Sequence, residues 1–367
     1  MTYVAYFVYI KQHVNKRWNF SVDKNFQPSV SILVPVHNEE ENIEKKLANI
    51  EAVLYPKDKI EIIIVDDASE DKTMLKVEDF TKHHPELNIL TVKQRSRSGK
   101  SVALNAALPV SSNSIVVVSD ADTLWPSDVL EKALPYLAEP SVGAITARGI
   151  NENVTKSWVT KSEDTYLDFA YLIRLGESKI YSTIRFEGGF CAYKRAAFEQ
   201  FDHQSGSDYS GTALNVVQRN FRTILVPEAV FYTSFPTSLI GKLRIKVRRA
   251  NQLISLWIRC LKLMFKKRLR LPKRIVLPEI FLFLIIPFFF LLLVVSAAAF
   301  ILLFPFSIFS LFILVSVVGL LVFTRSFFLE LVVDNSLLVY ASINYLLGRR
   351  YVAWEKPEKK KLVAGES

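Results

Sequence analysis

The chain has 367 residues, half of them hydrophobic, and its 46 lysines and arginines outnumber 36 acidic residues to give a formal net charge of +10. No Asp, Glu, Lys or Arg occurs between Glu279 and Arg325, whereas residues 20–270 have an ordinary mixed composition. This distribution predicts a soluble-type domain followed by a membrane segment. With only two distant cysteines, Cys191 and Cys260, a disulfide framework and a zinc site are not expected, and a reducing cytosolic setting fits.

Short apolar runs alternate with helical patterns in the first third of the chain. They predict an α/β fold with a mainly parallel sheet covered by helices on both faces. Ligands of such sheets bind beyond the carboxyl ends of the strands. Two of the runs lead directly into acidic residues there, Asp66-Asp67 and Asp120-Ala121-Asp122. The predicted strands are 29–36, 60–65, 88–92, 115–119, 142–150 and 223–226, and the predicted helices are 43–54, 72–83, 101–108, 157–183 and 210–220.

Basic residues are concentrated between Lys242 and Arg274, immediately before the uncharged stretch. Basic residues beside a membrane span mark its cytoplasmic side and bind anionic headgroups at about 1 kcal/mol each. A solvated face or a nucleic-acid patch is the alternative, but the position beside the apolar stretch favours the membrane. We therefore expect membrane lipids as partners, no nucleic acid, and a multi-pass protein of the cell membrane with its domain on the cytoplasmic face.

The uncharged stretch is long enough for two spans of roughly 20 residues each, with a break at 305–307. The next apolar segment, 327–347, carries Glu330, Asp334, Asn344 and Gly348 near one helical face, which is typical of an interfacial helix or of a third span. The positive-inside rule favours two spans plus an interfacial helix. The N-terminal segment is too short to span, so it predicts an interfacial helix or a helix packed on the protein.

These patterns divide the chain into five parts. We expect an N-terminal interfacial helix at 1–25, a catalytic domain at 26–235, a pair of juxtamembrane amphipathic helices at 236–272, a membrane anchor at 273–350 and a charged tail at 351–367.

Four motifs follow one another in a fixed order: VPVHNE at 34–39, VDDAS at 65–69 followed by Asp71, DAD at 120–122 and EGG at 187–189. Each motif alone is weak. Together, over roughly residues 28–250, they resemble the family-2 glycosyltransferases of GT-A fold. The basic segment and the terminal spans make the chain similar to membrane-bound hyaluronan, chitin and cellulose synthases and to polyprenyl-phosphate sugar transferases.

The acidic residues at 120–122 suit a cation. A nucleotide-sugar diphosphate concentrates negative charge, which a divalent ion such as Mg²⁺ or Mn²⁺ can neutralise, and hard cations prefer carboxylate oxygens. If the strand continued through this motif, alternation would leave Asp120 and Asp122 on the same side. The resemblance implies that Asp122 binds the metal and Asp120 the ribose or sugar. The alternative is two solvated loop acids or a helix cap.

The resemblance also assigns a nucleotide pocket, formed by Pro35, His37, Glu39, Asp66 and Asp67. For Asp67 the alternative is that it only caps the next helix, and His37 and Glu39 could be loop residues without direct contact.

The segment 95–100 (RSRSGK) opens a helix with free backbone N–H groups and cationic side chains, which is a natural site for phosphate. Lys100 and Arg97 are therefore candidate contacts for the diphosphate, with solvated surface cations as the alternative. We also expect Glu187, Gly188, Gly189, Arg248 and Arg249 to contact the acceptor or the diphosphate. For Arg248 and Arg249 the alternative is a basic helix face that lies on lipid headgroups.

The catalytic base is assigned by resemblance. Relatives carry an acidic pair before a helix that leads to a strand ending in Pro-Glu-Ala. Here Pro227-Glu228-Ala229 is intact, but the pair is not, and Asp208 is the only acid in reach, one position early relative to Asn220. Asp208 as base implies one inverting displacement, and such a carboxylate works best with a raised pKa. A helix N-cap is the alternative.

The sequence thus predicts a membrane-bound inverting glycosyltransferase that moves a hexose from a nucleotide-diphosphate donor, which we expect to be a UDP-sugar, to a lipid-linked or polysaccharide acceptor. One alternative is a processive polysaccharide synthase, which the missing Gln and Trp of the Gln-x-x-Arg-Trp motif around Arg248 make less favoured. Another is a non-catalytic membrane scaffold with the same fold. A nucleotidyltransferase would leave the spans without a purpose.

Overall fold

The computed structural model describes residues 3–153, 158–203, 208–236, 238–323 and 325–348. The predicted charged tail at 351–367 and the residues at 204–207 that precede Asp208 lie outside these ranges. The elements up to the acidic motif at 120–122 follow the predicted alternation: α1 (Tyr3–Val14), β1 (Val30–Val36), α2 (Ile43–Glu51), β2 (Ile60–Asp66), α3 (Thr73–His83), β3 (Asn88–Lys93), α4 (Lys100–Ala107) and β4 (Ile115–Val118).

The rest of the domain combines short and long elements. It comprises β5 (Thr123–Leu124), α5 (Val129–Ala133), β6 (Val142–Asn151), α6 (Trp158–Ile180), β7 (Cys191–Lys194), α7 (Asp208–Gln218) and β8 (Arg222–Thr233). A 3₁₀ turn at Arg195–Ala197 follows β7.

The strands form one sheet of mixed direction, in the order β3-β2-β1-β4-β7-β6-β8-β5. Strands β1 to β4 pair in parallel, as predicted. Strand β7 is antiparallel to both β4 and β6, and β5 is antiparallel to β8, whereas β6 and β8 pair in parallel. The sheet is therefore mixed and not mainly parallel as predicted. Every residue of β1, β2 and β4 is buried, which explains why these strands are continuous apolar runs.

Helix α1 packs against α6. Tyr6 and Ile10 are fully buried, and the Phe7 ring stacks on Phe169 with centroids 4.9 Å apart. At Gly176 of α6 an added Cβ would lie 2.9 Å from the backbone oxygen of Ile10, so the absence of a side chain allows this close approach. One face of α1 is thus occupied by protein, as in the packed-helix alternative.

A single continuous helix, α8 (Leu239–Phe265), occupies most of the segment in which the sequence predicted a pair of helices. The Arg259 side chain connects α8 to the domain. It donates one hydrogen bond to Asp202 at 2.8 Å and another to Asn215 of α7 at 2.5 Å. Helix α8 is therefore anchored on the same helix that begins with Asp208.

Beyond α8, helix α9 (Lys273–Ile280), a π-helical turn (Phe281–Ile285) and α10 (Ile286–Leu303) run on without interruption. In the described part of the chain this 31-residue stretch is the one helix long and apolar enough to cross a membrane. Helix α11 (Ile308–Phe323) follows after the break predicted at 305–307 and is shorter.

The last described helix, α12 (Arg325–Leu346), packs on α8 through its polar side. Glu330 forms ion pairs with Lys242 and Lys246, and Lys246 also lies 2.6 Å from Asp334. The acidic residues that the sequence placed on one face of this helix thus face lysines of α8. Lys242, predicted as a headgroup contact, is instead buried against Glu330.

We predict that Glu330→Gln destabilises the protein more than Asp334→Asn. Glu330 bridges two lysines and its side chain is 19% exposed, whereas the side chain of Asp334 is 40% exposed and pairs with Lys246. Loss of a hydrogen bond to a charged group costs about 1.5–3 kcal/mol. Thermal unfolding in detergent measures the difference, and equal midpoints for the two variants would contradict the packing of α12 on α8.

Candidate active site

The parallel strands β1, β2 and β4 end at one edge of the sheet, and this edge carries the acidic motifs. Val36 is in register with Asp66. Just beyond the strands, the Asp67 N–H donates to the Val36 carbonyl at 2.9 Å and the Ser119 N–H to the Leu33 carbonyl at 3.1 Å. The side chains that follow β2 and β4 therefore project from the same edge.

Asp67 holds the loop that opens α4. Its two carboxylate oxygens accept the backbone N–H groups of Ser98 at 2.7 Å and of Gly99 at 2.8 Å. Gly99 has a φ of +91°, a conformation that suits glycine. The carboxylate does not cap the next helix, whose first N–H is accepted by Asp71 at 2.9 Å. Asp67 instead fixes the start of α4 beside the site.

The other candidates for the nucleotide pocket surround Asp67. The Nδ1 atom of His37 lies 2.8 Å from the Asp67 carbonyl oxygen. Asp66 accepts the Ser69 N–H at 2.9 Å. Pro35 lies in β1 opposite Val65, and Glu39 is buried, with its N–H donating to Thr73 at 2.7 Å. All five residues lie at the β1–β2 edge.

Lys100 and Tyr209 converge on Asp120. Both the Lys100 ammonium, at 2.5 Å, and the Tyr209 hydroxyl, at 2.7 Å, donate to the same carboxylate oxygen. The ammonium also lies 4.9 Å from the centre of the Tyr209 ring. The loop that Asp67 holds is thereby connected to the acidic motif after β4. Arg97 of the same loop is exposed.

Asp208 is the first residue of α7 and points towards α4. Its carboxylate accepts the Ser101 hydroxyl at 2.6 Å. Burial raises the pKa of Asp208, against the opposing effects of the Ser101 hydrogen bond and of the charges on Lys100 and Arg248. A carboxyl group with a raised pKa in such surroundings is suited to accept a proton.

The charges of this acidic cluster act on Arg248. Burial and the neighbouring Arg249 lower the pKa of Arg248, while Asp120, Asp208 and Asp122 favour its charged form. Arg249 lies over the Phe235 ring, 5.5 Å from its centre.

The 187–189 loop lies against the same acidic turn. The Gly188 carbonyl accepts the Asp120 N–H at 2.9 Å, and a Cβ at Gly188 would lie 2.6 Å from each Asp120 oxygen. Gly189 packs against the Phe231 ring, and its carbonyl accepts the Trp125 indole N–H at 2.7 Å. Glu187 instead pairs with the buried Arg174 at 2.8 Å.

Asp122 and Asp120 offer the hard oxygen ligands that Mg²⁺ and Mn²⁺ prefer. Asp122 is half-buried at the sheet edge, and the missing Cβ at Gly188 leaves room beside Asp120. A buried lysine, Lys46, lies behind them; burial lowers its pKa to about 7, although Asp120 and Asp122 favour its charged form. These residues fit a divalent ion that keeps several waters or substrate oxygens.

A second group with metal-ligand chemistry consists of Glu51, His84 and Glu86. It lies where α2 and α3 end, before β2 and β3 begin, and therefore at the opposite edge of the sheet. His84 already pairs with Glu51 at 2.8 Å. This group has no connection with the acidic motifs.

Sequence reasoning missed Tyr209, Ser101 and Lys46. Tyr209 directly follows the candidate Asp208, and Ser101 directly follows the candidate Lys100. This position in the sequence could have identified both as residues of the site. Lys46 stands among the alternating charges of an ordinary amphipathic helix, so nothing in the sequence distinguished it from its exposed neighbour Lys45.

Residues 31–202 match the family described as Glycosyl transferase family 2. The matched segment runs from β1 through β7 and contains the motifs at 65–69, 120–122 and 187–189. Residues 31–202 therefore form a family-2 glycosyltransferase domain, and the fold is the α/β GT-A type.

Individual relatives agree with this assignment. The chain is 36% identical over 136 residues to the beta-monoglucosyldiacylglycerol synthase of Trichormus variabilis, covering 37% of this chain and 29% of that protein. It is 28% identical over 242 residues to the N-acetylglucosaminyltransferase of Azorhizobium caulinodans, covering 61% and 59%. The chain thus spans less than two thirds of these curated relatives.

A solved structure is similar over almost the whole length. The mannosyltransferase PcManGT from Pyrobaculum calidifontis, in complex with GDP-Man and Mn²⁺, superposes with a TM-score of 0.82 at 28% identity and covers 95% of both chains.

We predict that Gly188→Ala abolishes most activity without unfolding the protein. The new methyl group would press on both Asp120 oxygens and on the Tyr209 ring, so the carboxylate must move. Displacing a reacting group by about 1 Å can cost roughly a hundredfold in rate. Gly319→Ala is the control, because a Cβ there meets nothing within 4 Å. Sugar transfer and thermal unfolding are measured together, and wild-type turnover in Gly188→Ala would refute this geometry.

Proposed function

We propose that the chain is a membrane-associated, inverting glycosyltransferase that moves a sugar from a nucleoside-diphosphate donor to a lipid-linked or glycan acceptor. One observation carries the proposal: Lys100 is bound to Asp120 beside the loop that Asp67 holds, and the charges of Asp120, Asp122 and Asp208 all act on Arg248. The carboxyl ends of the strands thus bring acidic and basic residues together. They belong to or directly follow β2, β4, α4, α7 and α8.

The donor diphosphate would bind between Asp122 and the cations. A divalent metal held by Asp122, when bound, would neutralise the diphosphate and act as a Lewis acid on its oxygens. Lys100 and Arg248 would stabilise the charge that grows on the leaving group, since both face this edge. GDP-Man with Mn²⁺ in the similar mannosyltransferase supports this role for the edge.

The nucleotide pocket would be formed by Pro35, His37, Glu39, Asp66 and Asp67. The sequence favours a uridine donor, whereas the similar mannosyltransferase was solved with a guanosine donor. Guanosine and uridine diphosphate sugars are therefore both candidates.

Asp208 would be the catalytic base. Its raised pKa follows from burial, and its carboxylate lies at the start of α7, where it accepts the Ser101 hydroxyl of α4. A base on the side opposite the leaving nucleotide would take the proton of the acceptor hydroxyl as the new glycosidic bond forms, which inverts the anomeric centre in one displacement.

The acceptor would be presented at the membrane. The apolar helix 273–303 follows directly after α8, which carries Arg248. A relative over part of the chain is a glucosyldiacylglycerol synthase, which supports a glycolipid acceptor. We further propose that the domain lies on the cytoplasmic face and that α11 and α12 complete a multi-pass anchor. Arg249 and the 187–189 loop would border the acceptor path.

The decisive assay offers purified protein in lipid a panel of radiolabelled GDP- and UDP-sugars, with Mn²⁺ or Mg²⁺. We expect label to enter the lipid phase from one donor, and Asp208→Asn and Asp122→Asn to reduce turnover by at least about a hundredfold. Label in a long polymer would identify a processive synthase instead. No incorporation from any donor would support the scaffold alternative and refute the proposal.

We predict that Ser101→Ala moves the acid limb of the pH–rate profile to higher pH. The Ser101 hydrogen bond stabilises the ionised Asp208 carboxylate, so its removal raises a pKa that burial has already raised. One hydrogen bond of about 0.5–1.5 kcal/mol corresponds to roughly half to one pH unit. In the control Ser98→Ala, whose hydroxyl contacts Ser96, the limb should stay in place. An unchanged limb in Ser101→Ala would argue against Asp208 as the base.

A further inference from the structure

Beneath the 120–122 turn lies a lysine that no step of the proposed reaction uses. Lys46 is in α2, and its side chain is 0% exposed. A buried ammonium group loses its water, so lysines are rare in a core unless hydrogen bonds and opposite charges compensate. The groups that Lys46 contacts therefore indicate its purpose.

Lys46 contacts the acidic turn in two ways. Its ammonium group donates a hydrogen bond of 3.0 Å to the carbonyl oxygen of Thr123, the residue that follows Asp122 in the chain. It also lies 4.2 Å from the centre of the Trp125 ring, within reach of a cation–π interaction. Burial lowers the pKa of Lys46 to about 7, and the charges of Asp120 and Asp122 oppose this by favouring the ammonium form. Lys46 thus places its ammonium group on the core side of the two carboxylates. Through the Thr123 carbonyl it also holds the backbone between them and Trp125.

Asn49, one turn further along α2, holds the same stretch. Its side-chain amide donates to the Trp125 carbonyl and accepts the Trp125 N–H, both at 2.8 Å. The Trp125 indole in turn donates to Gly189. One face of α2 therefore fixes residues 123–125 and reaches the 187–189 loop through them.

We infer that Lys46 is a positioning residue of the metal site: from the core side it holds the 120–122 turn and balances its carboxylates, so that Asp122 keeps the orientation that binds a divalent cation. The inference rests on the proposed function, which assigns the metal to Asp122. Groups that orient metal ligands from behind change metal affinity or activity by roughly 10–100-fold when they are removed.

Three substitutions separate the charge from the hydrogen bond. Lys46→Met keeps an unbranched apolar chain and removes both, Lys46→Gln keeps a donor without the charge, and Lys46→Arg keeps both. Lys45→Met, at the exposed neighbour on the same helix, is the matched control. Mn²⁺ binding is followed by electron paramagnetic resonance of free Mn²⁺, with GDP and separately with UDP, alongside kcat and thermal unfolding.

We expect Lys46→Met to weaken Mn²⁺ binding and to lower kcat, each by about tenfold or more. Its unfolding midpoint should be unchanged or higher, because replacing a buried charge by an apolar side chain of similar volume is often neutral or stabilising. Lys46→Arg should recover part of the Mn²⁺ affinity, Lys46→Gln should recover less, and Lys45→Met should bind Mn²⁺ like the wild type.

Two results would overturn the inference about Lys46 and leave the proposed function intact. One is wild-type Mn²⁺ affinity in Lys46→Met, and the other is unfolding of all three Lys46 variants, which would make Lys46 a residue of the fold. If the wild-type protein transfers sugar but binds no Mn²⁺ with either nucleotide, the proposed metal site fails and the role of Lys46 fails with it. No transfer from any donor would instead refute the proposed function itself.

Discussion

The site depends on the balance of charge at one edge of the sheet. Asp120, Asp122 and Asp208 would repel one another if they were brought together alone, and each group loses water as the fold closes around it. Three cations offset that repulsion. Lys46 does so from the core, Lys100 from the start of α4 and Arg248 from α8. The raised pKa of Asp208 shows that the compensation is incomplete, since burial still outweighs the cations there. Such a partly compensated carboxylate is what proton transfer near neutral pH requires.

This balance extends through α8 towards the apolar C-terminal helices. Arg248 lies between two anchor points on that helix, the ion pairs of Lys242 and Lys246 with α12 on one side and the Arg259 contacts with Asp202 and Asn215 on the other. A cation of the site is therefore held by an element that leads directly into the apolar helix 273–303. The arrangement agrees with the proposed transfer to an acceptor at a membrane, because α8 both carries Arg248 and precedes the apolar helix 273–303.

The sequence was enough to predict the acidic edge but not the groups that complete it. Parallel strands end at one edge, so Asp66, Asp67 and Asp120 could be grouped from chain position alone. Lys46, Tyr209 and Ser101 reach their partners across 77, 89 and 107 residues, and no local pattern encodes such contacts. Strand β7 is only four residues long and pairs antiparallel between distant strands, which explains the wrong prediction of a mainly parallel sheet. The polar face of the last helix could be recognised, but its lysine partners on α8 depend on tertiary packing.

An experimental structure of the protein with Mn²⁺ and GDP or UDP tests the central claim most directly. The account predicts the metal on the Asp122 carboxylate and the diphosphate between the metal, Lys100 and Arg248, with the base of the nucleotide near Asp67. A nucleotide bound away from this edge, or Mn²⁺ bound only at Glu51, His84 and Glu86 on the opposite edge, would contradict it.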